Sequence, residues 1–257
     1  MAGDEISKAY LSRQPLKTIS LLKYLQAHPA DTASFHVGGD EGEAVLVVLR
    51  AAVSAYDHET YPTARHVCFI ASDHPRLTER LLGQVPRGAP VVFKLSQPAD
   101  HAVVAEHFTT QRTTAFHSFR RADEPAWVGE PDLVRKSPSE AGWRLLEERG
   151  YEREWLLGLI CKNLAFVAEA CCNGATASTC FAFENTPGIW EVGGLATAPA
   201  ARRQGLAGRV VRAAFSELAR RGLESRYVVE ETNEPSLQLA RALGLVEFMQ
   251  LTHFLGE

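Results

Sequence analysis

The chain has 257 residues, 46% hydrophobic and 23% charged, with a net charge of −4, so it fits one large domain or two ordinary ones around a sizeable core, and nothing global attracts nucleic acid or an anionic membrane. No apolar run reaches the length of a membrane span, and the opening MAGDEISKAY has no signal-peptide apolar region. Five cysteines (Cys68, Cys161, Cys171, Cys172, Cys180) without a C-x-x-C pair argue against a disulfide framework and a structural zinc site, which leaves a reducing cytoplasm as the expected compartment.

Residues 6–28 read as helix. Ile6, Tyr10 and Leu11 start an apolar stripe, Ile19, Leu22 and Leu25 continue it, and Pro15 divides it in two. Gly38-Gly39-Asp40 marks a turn, and Ala44 to Ala55 a strand or strand pair. Val67 to Ala71 is a short strand. Asp73 is placed to cap a helix carrying Leu77, Leu81 and Leu82. Gly88-Ala89-Pro90 turns into a strand, Val91 to Leu95; Ala99 to Phe108 reads as helix and Thr113 to Phe119 as strand. This alternation makes residues 1–124 an α/β (α+β) lobe. The lobe has no G-x-G-x-x-G, P-loop or G-x-S-x-G. Eight of the nine histidines fall in it without H-x-x-x-H spacing, as expected of satisfied or surface histidines rather than metal ligands.

Asp123 to Pro138, with three prolines, is the predicted boundary. The second domain, 125–257, starts with Val134 in a first strand. Helices at Ser139 to Arg149 and Trp155 to Ile160 follow, then strands Leu164 to Ala170 and Ala177 to Phe183 about an Asn173-Gly174 hairpin turn. The adjacent Cys171 and Cys172 are expected on opposite faces of a strand, one thiol buried. Pro187-Gly188 turns into the stretch on which the rest is organised.

That stretch begins as a strand, Val192 to Ala196, followed by a small-residue turn and then Arg202-Arg203-Gln204-Gly205-Leu206-Ala207-Gly208. Leu206, Val210, Ala214 and Leu218 recur every four residues, so a helix with one apolar face begins here, and Gly222 stops it. The first N–H groups of a helix have no partner within it and carry the positive end of its dipole. Gly205, Ala207 and Gly208 let a phosphate approach the backbone, and Arg202 and Arg203 add charge. The turn is a pyrophosphate site by its physics.

Arg202-x-x-Gly205-x-Ala207 between strand and helix resembles the R/Q-x-x-G-x-G/A signature of the GNAT acyltransferase superfamily. Downstream, Tyr227 to Glu231 reads as a strand, and Asn233, Ser236 and Gly244-Leu245 are similar to that family's final N-x-x-[AS]…LGF segment. The resemblance covers residues 130–257. It implies a GNAT fold with acetyl-coenzyme A as cosubstrate and no metal. Arg202, Arg203, Gln204, Gly205, Leu206, Ala207 and Gly208 would hold the coenzyme, with Asn233 and Ser236. The Leu195 backbone N–H would stabilise the oxyanion, and Ala196 and Thr197 would pair with the pantetheine arm.

An alkylamine with a pKa near 10.4 costs about 4–5 kcal/mol to deprotonate at pH 7, so a base is wanted. Glu191, eleven residues before Arg202, occupies the offset of the strand carboxylate that acts as base in the histone-acetylating branch. The resemblance departs at the general acid. The family's usual Tyr, seven residues after the Asn, is Ala240 here, and Tyr227 is either its replacement or a buried strand residue. The order of elements in residues 1–124 is similar to a degenerate second copy, as in tandem GNAT and two-lobed glycine N-acyltransferase-like proteins.

The favoured reading is an acyl-coenzyme A-dependent N-acyltransferase for a small amine or amino acid, monomeric or homodimeric, with neither nucleic acid nor membrane as partner. The alternatives are a protein lysine or N-terminal acetyltransferase, and a non-catalytic acyl-coenzyme A-binding module. A nicotinamide-dependent dehydrogenase is set aside for lack of G-x-G-x-x-G.

Overall fold

Six consecutive buried residues, Ala44 to Leu49, show how the first sheet is built. A strand apolar on both faces needs cover on both. In the computed structural model, which describes residues 2–122 and 129–257, that strand is β2 (Gly42–Arg50). It lies between β1 (Thr32–Gly39) and β3 (His66–Ser72), antiparallel to each. Ala44, Leu46 and Val48 pack with Leu77, Leu81 and Leu82 of α4 (Pro75–Leu82) and Val104 of α5 (Pro98–His107). Val45, Val47 and Leu49 pack with Leu11 of α1 (Ala2–Leu11) and Leu21, Leu22 and Leu25 of α2 (Pro15–Ala27). Pro15 opens α2 at its first turn, where a missing N–H costs nothing. The short α3 (Ala55–Thr60) follows β2.

The chain divides into two compact units. One runs up to His117 and takes in Met249–Glu257; the other is Ser118–Phe248. The boundary expected at 124/125 lies outside the described residues. In the first unit β4 (Val91–Leu95) runs parallel to β3, with five residue pairs from His66/Val91 to Ile70/Leu95. The last strand of the sequence, β11 (Val246–Gly256), pairs antiparallel with β4, and β5 (Thr110–Arg120) follows it in the sheet.

In the second unit the strand order is β6 (Val134–Arg135), β7 (Ala165–Cys172), β8 (Ala175–Thr186), β9 (Ile189–Thr197) and β10 (Glu224–Glu230). The first four are antiparallel, and β10 is parallel to β9. Trp143 and Leu146 of α6 (Glu140–Glu147) and Leu156 of α7 (Arg153–Cys161) cover one face with Val167 and Phe181. On the other face α8 (Leu206–Arg220) and α9 (Glu234–Ala242) pack Val210, Val211, Ala214, Phe215, Leu237 and Ala240 onto Phe166, Ala168 and Val192. No helix among the described residues is long and apolar enough to cross a membrane.

Three local expectations are corrected. Asp73 does not cap α4: His74 does, its Nδ1 accepting from the Arg76 N–H at 3.3 Å. Asp73 instead accepts from the Glu43 N–H (2.9 Å) and the Tyr10 hydroxyl (3.0 Å), so it holds the β1–β2 hairpin. Cys171 and Cys172 do not divide into one buried and one outward thiol. The β7–β8 register shifts between Ala170 and Cys171, and the first is exposed, the second half-buried. Residues 51–55 of the stretch read as strand turn instead into a 3-10 turn (Ala51–Val53) leading to α3.

His253 of β11 is buried, its Nδ1 3.1 Å from the Tyr61 hydroxyl. Burial, with the Lys94 charge adding to it, pushes the imidazole down to about 2. An unfolded histidine titrates near 6.5, so below that pH the unfolded state binds a proton the folded state refuses. The stability contributed by neutral His253 is therefore present above pH 6.5 and lost as pH falls towards 2. Asp100, pushed up to about 6 by burial, acts with the opposite sign. Its contribution is full below an unfolded carboxylate pKa of about 3.9 and is lost as pH rises through 6. Urea unfolding of wild type and His253→Asn between pH 7 and 4 should show the wild type losing stability faster; Asp100 is common to both and cancels. Parallel profiles would contradict the assignment.

Candidate active site

The site starts where two parallel strands part. β9 and β10 pair from Ile189/Glu224 to Val192/Tyr227 and no further, although both strands continue. The cause is in β9. Its register with β8 shifts after the Phe181/Gly193 pair and resumes at Thr179/Ala196. Gly194 and Leu195 have no strand partner on either side among the described residues. Gly194 has φ +62, and a Cβ there would stand 2.0 Å from Phe181 Cε1, so only glycine fits. A bulge of this kind re-aims a strand and frees its backbone groups.

The opening continues into a cleft of about 690 Å³ in the second unit. Beyond β9 the chain makes a 3-10 turn, Pro199–Ala201, and then bends through Arg203 (φ 62) and Gly205 (φ 77), both left-handed, into α8. A left-handed arginine costs roughly 1–2 kcal/mol, a strain that clusters at functional sites. Gly205 occupies the N-cap of α8 with no side-chain cap, so the first N–H groups of the helix are left for something else to satisfy. Nothing lies within 4 Å of a Cβ built on Gly205.

Leu195, Thr197, Arg202, Arg203, Gly205, Leu206, Ala207, Gly208, Asn233 and Ser236 all line this cleft. Two residues predicted with them do not. Ala196 is buried, and its carbonyl accepts from Ser178 Oγ at 3.2 Å. Gln204 turns to Cys172 Sγ (3.6 Å) and the Ala200 carbonyl (3.4 Å). Asn233 caps α9, its Oδ1 accepting from the Ser236 N–H at 3.3 Å.

Glu191 lies on the paired part of β9, opposite Arg226 in register. Its Oε2 accepts from Arg226 Nε (2.9 Å) and Asn185 Nδ2 (2.7 Å) and stands 2.6 Å from Arg226 Nη2. Its Oε1 has no partner among the described residues. Ala240 is fully buried in α9. Two phenols stand near the opening. Burial raises both; a hydrogen bond from the Gly194 backbone opposes this at Tyr151, and one with the Ser236 side chain opposes it at Tyr227.

Reading the sequence missed Arg149, Arg212, Gln238, Leu239 and Leu243, which also line the cleft. Arg212 was legible in principle, since it follows Gly208 by four residues and so shares its helix face. Arg149, from the loop after α6, carried no signal. Charged lining residues are thus four arginines and no carboxylate. Uncapped helix N–H groups, a glycine that leaves open space and this charge all fit a polyphosphate. Among the described residues no three His, Cys, Asp or Glu side chains are grouped to hold a metal ion.

The model of the acetyltransferase (GNAT) family matches residues 116–245, just over half of the chain. The fold is similar to a GCN5-related N-acetyltransferase from Sphaerobacter thermophilus, with TM-score 0.60, 17% identity, and 93% of this chain and 85% of that one covered. It is also similar to a GCN5-related N-acetyltransferase from Kribbella flavida, with TM-score 0.55, 14% identity, and 94% and 96% covered. A tandem GNAT protein from the clavulanic acid biosynthesis pathway gives TM-score 0.50 at 10% identity, covering 93% and 78%. No curated protein matches the sequence. The strand-parting bulge, the uncapped turn into α8 and the family match converge on residues 116–245, and the chain belongs to the GNAT acetyltransferase family.

Proposed function

We propose that the chain transfers an acyl group from acetyl-coenzyme A to the primary amine of a small molecule or amino acid. The observation that carries this is the parting of β9 from β10 directly beside an uncapped, arginine-rich helix start. When bound, the cosubstrate supplies the thioester that an amine can attack. The turn from Arg202 to Gly208 holds phosphate, and the freed edge of β9 offers backbone groups to an extended arm. The Leu195 N–H, outside both ladders, is the donor for a developing oxyanion. Glu191 Oε1 is free to take the proton of the ammonium, directly or through water. Arg226 and Asn185 hold the other oxygen and so fix the carboxylate. A coenzyme thiol near the usual thiol pKa of about 8.5 leaves without an acid, which accommodates Ala240.

Glu191→Gln tests the reading. Coenzyme affinity should hold while kcat falls about 10²–10⁴-fold, the range for general acid–base groups. A second reading, a non-catalytic acyl-coenzyme A-binding module, is favoured by the Arg226 and Asn185 contacts and by Ala240. Coenzyme release absent from wild type across a panel of amines, with binding intact, would favour that module. Turnover in Glu191→Gln within a few-fold of wild type would remove Glu191 as base.

We read residues 1–120 as a degenerate copy of residues 140–256. In chain order α1-α2-β1-β2-β3-α4-β4-α5-β5 repeats α6-α7-β7-β8-β9-α8-β10-α9-β11, with α3 added. In this copy β3 and β4 stay paired over five positions. Pro75 and the His74 cap occupy the start of α4, so its first N–H groups offer no counterpart to the turn before α8.

A further inference from the structure

The sheet face that carries Glu191 also carries a row of aromatic rings that proton transfer does not need. Register places Phe181 opposite Gly193, at the foot of the bulge, and Phe183 opposite Glu191. Residues directly opposite in a ladder share a face. Tyr151 stands edge-on to Phe181 at 5.0 Å. Trp155 of α7 reaches both phenylalanines, 5.8 Å from Phe181 and 5.7 Å from Phe183, with interplanar angles of 69° and 71°. Neither phenylalanine lies parallel to the indole, and Trp155 is 42% exposed. A lone exposed tryptophan is ordinary on a protein surface. This one ends a row that begins at the bulge and passes the carboxylate.

Two acceptor atoms beside the row lack donors among the described residues. One is Glu191 Oε1, since Arg226 and Asn185 hold the other oxygen. The second is Asn185 Oδ1, which is buried. A buried carbonyl oxygen without a donor is costly, and an ammonium brings three N–H groups. Arg226, the cation opposite Glu191 in register, is already paired with it. Arg149 lines the polyphosphate cleft. A carboxylate on the acceptor would therefore meet the Glu191 charge without a cation of its own.

Resting on the acyl-transfer reading above, we propose that the acceptor is a primary amine carried on an aromatic body that bears no carboxylate, with its nitrogen at Glu191 Oε1 and Asn185 Oδ1 and its ring against Trp155 and Phe183. Trp155 is then a specificity-determining residue, selecting the acceptor without taking part in proton transfer. Aromatic pairing adds to the gain from apolar burial, so its removal is read as lost preference among amines.

The test is steady-state kinetics with acetyl-coenzyme A and three acceptors, 2-phenylethylamine, ethylamine and phenylalanine, on wild type, Trp155→Ala and Trp155→Phe. Calorimetric titration with coenzyme A accompanies it. Wild type should show a kcat/KM for 2-phenylethylamine about tenfold or more above that for either other acceptor. Trp155→Ala should lose most of the preference over ethylamine, through KM rather than kcat, and Trp155→Phe should restore most of it. Coenzyme A affinity and the thermal midpoint should hold in both variants. Equal wild-type kcat/KM for 2-phenylethylamine and ethylamine would overturn the inference, as would phenylalanine matching 2-phenylethylamine. A Trp155→Ala loss falling equally on both amines would reduce Trp155 to packing and overturn its role. Turnover of none of the three by wild type that binds coenzyme A would overturn this inference alone. Failure of coenzyme A to bind folded wild type would overturn the acyl-transfer reading and this inference with it.

Discussion

Gly205→Glu is expected to abolish coenzyme binding while the protein stays folded. The position is exposed, with no atom within 4 Å of where a Cβ would stand, so the side chain meets no obstacle except what enters the cleft. The backbone cost is that of a left-handed residue, roughly 1–2 kcal/mol, shared by any non-glycine. The charge adds more: a carboxylate 4 Å from a phosphate at an effective dielectric of about 20 is repelled by about 4 kcal/mol, roughly a thousandfold in affinity. Gly205→Gln separates the two effects, because it carries the same backbone cost and length without the charge. Calorimetry should find Gly205→Gln impaired far less than Gly205→Glu. Equal losses would mean that the turn fails through its backbone, not through its electrostatics.

Gly194→Ala should be strongly destabilising for a single added methyl group. The new Cβ would lie 2.0 Å from Phe181 Cε1 and 2.4 Å from Cδ1. Phe181 is nearly inaccessible and has little room to yield, with Tyr151 edge-on at 5.0 Å and Trp155 and Phe183 each at 5.8 Å. Overpacking costs about 1–3 kcal/mol and the left-handed backbone roughly 1–2, so the sum is roughly 2–5 kcal/mol. At about 2–4 °C per kcal/mol for a chain of this size, the thermal midpoint should drop by roughly 5–20 °C. Activity should fall with it, because the same glycine makes the bulge. Phe181→Leu in the same molecule should recover part of the loss, since the two sites share one space. Strictly additive losses would show that Phe181 is not the obstacle.

What the sequence made legible was local. β4 is Val91–Leu95 as expected because all five residues are buried and apolar but for Lys94. The Asn173-Gly174 turn appears with φ 52 and 80, the left-handed pair a two-residue hairpin demands. The phosphate turn was readable because its residues are neighbours in the chain. β1 was missed: its residues are half-exposed almost throughout and carry no strong alternation. β11 was missed because its partner β4 is distant in sequence and its residues are mixed in character. The same limit applies at the site. Glu191 was found by its offset, but Arg226 reaches it only through the parallel register of β9 and β10. Arg149 comes to the cleft from a loop whose own sequence gives no reason to expect it there.

The pairing of β11 with β4 has a consequence for how the protein is made. Thr252 lies opposite Leu95, so the first unit cannot complete its sheet when its own residues leave the ribosome. About 150 residues must follow, which at about 5–20 residues per second takes roughly 8–30 s. During that interval β4 has an unsatisfied edge of buried, mostly apolar residues, the kind of edge that recruits other chains. A nascent chain stalled before residue 246 would therefore be the aggregation-prone species, and chaperone occupancy should peak on it rather than on the finished protein.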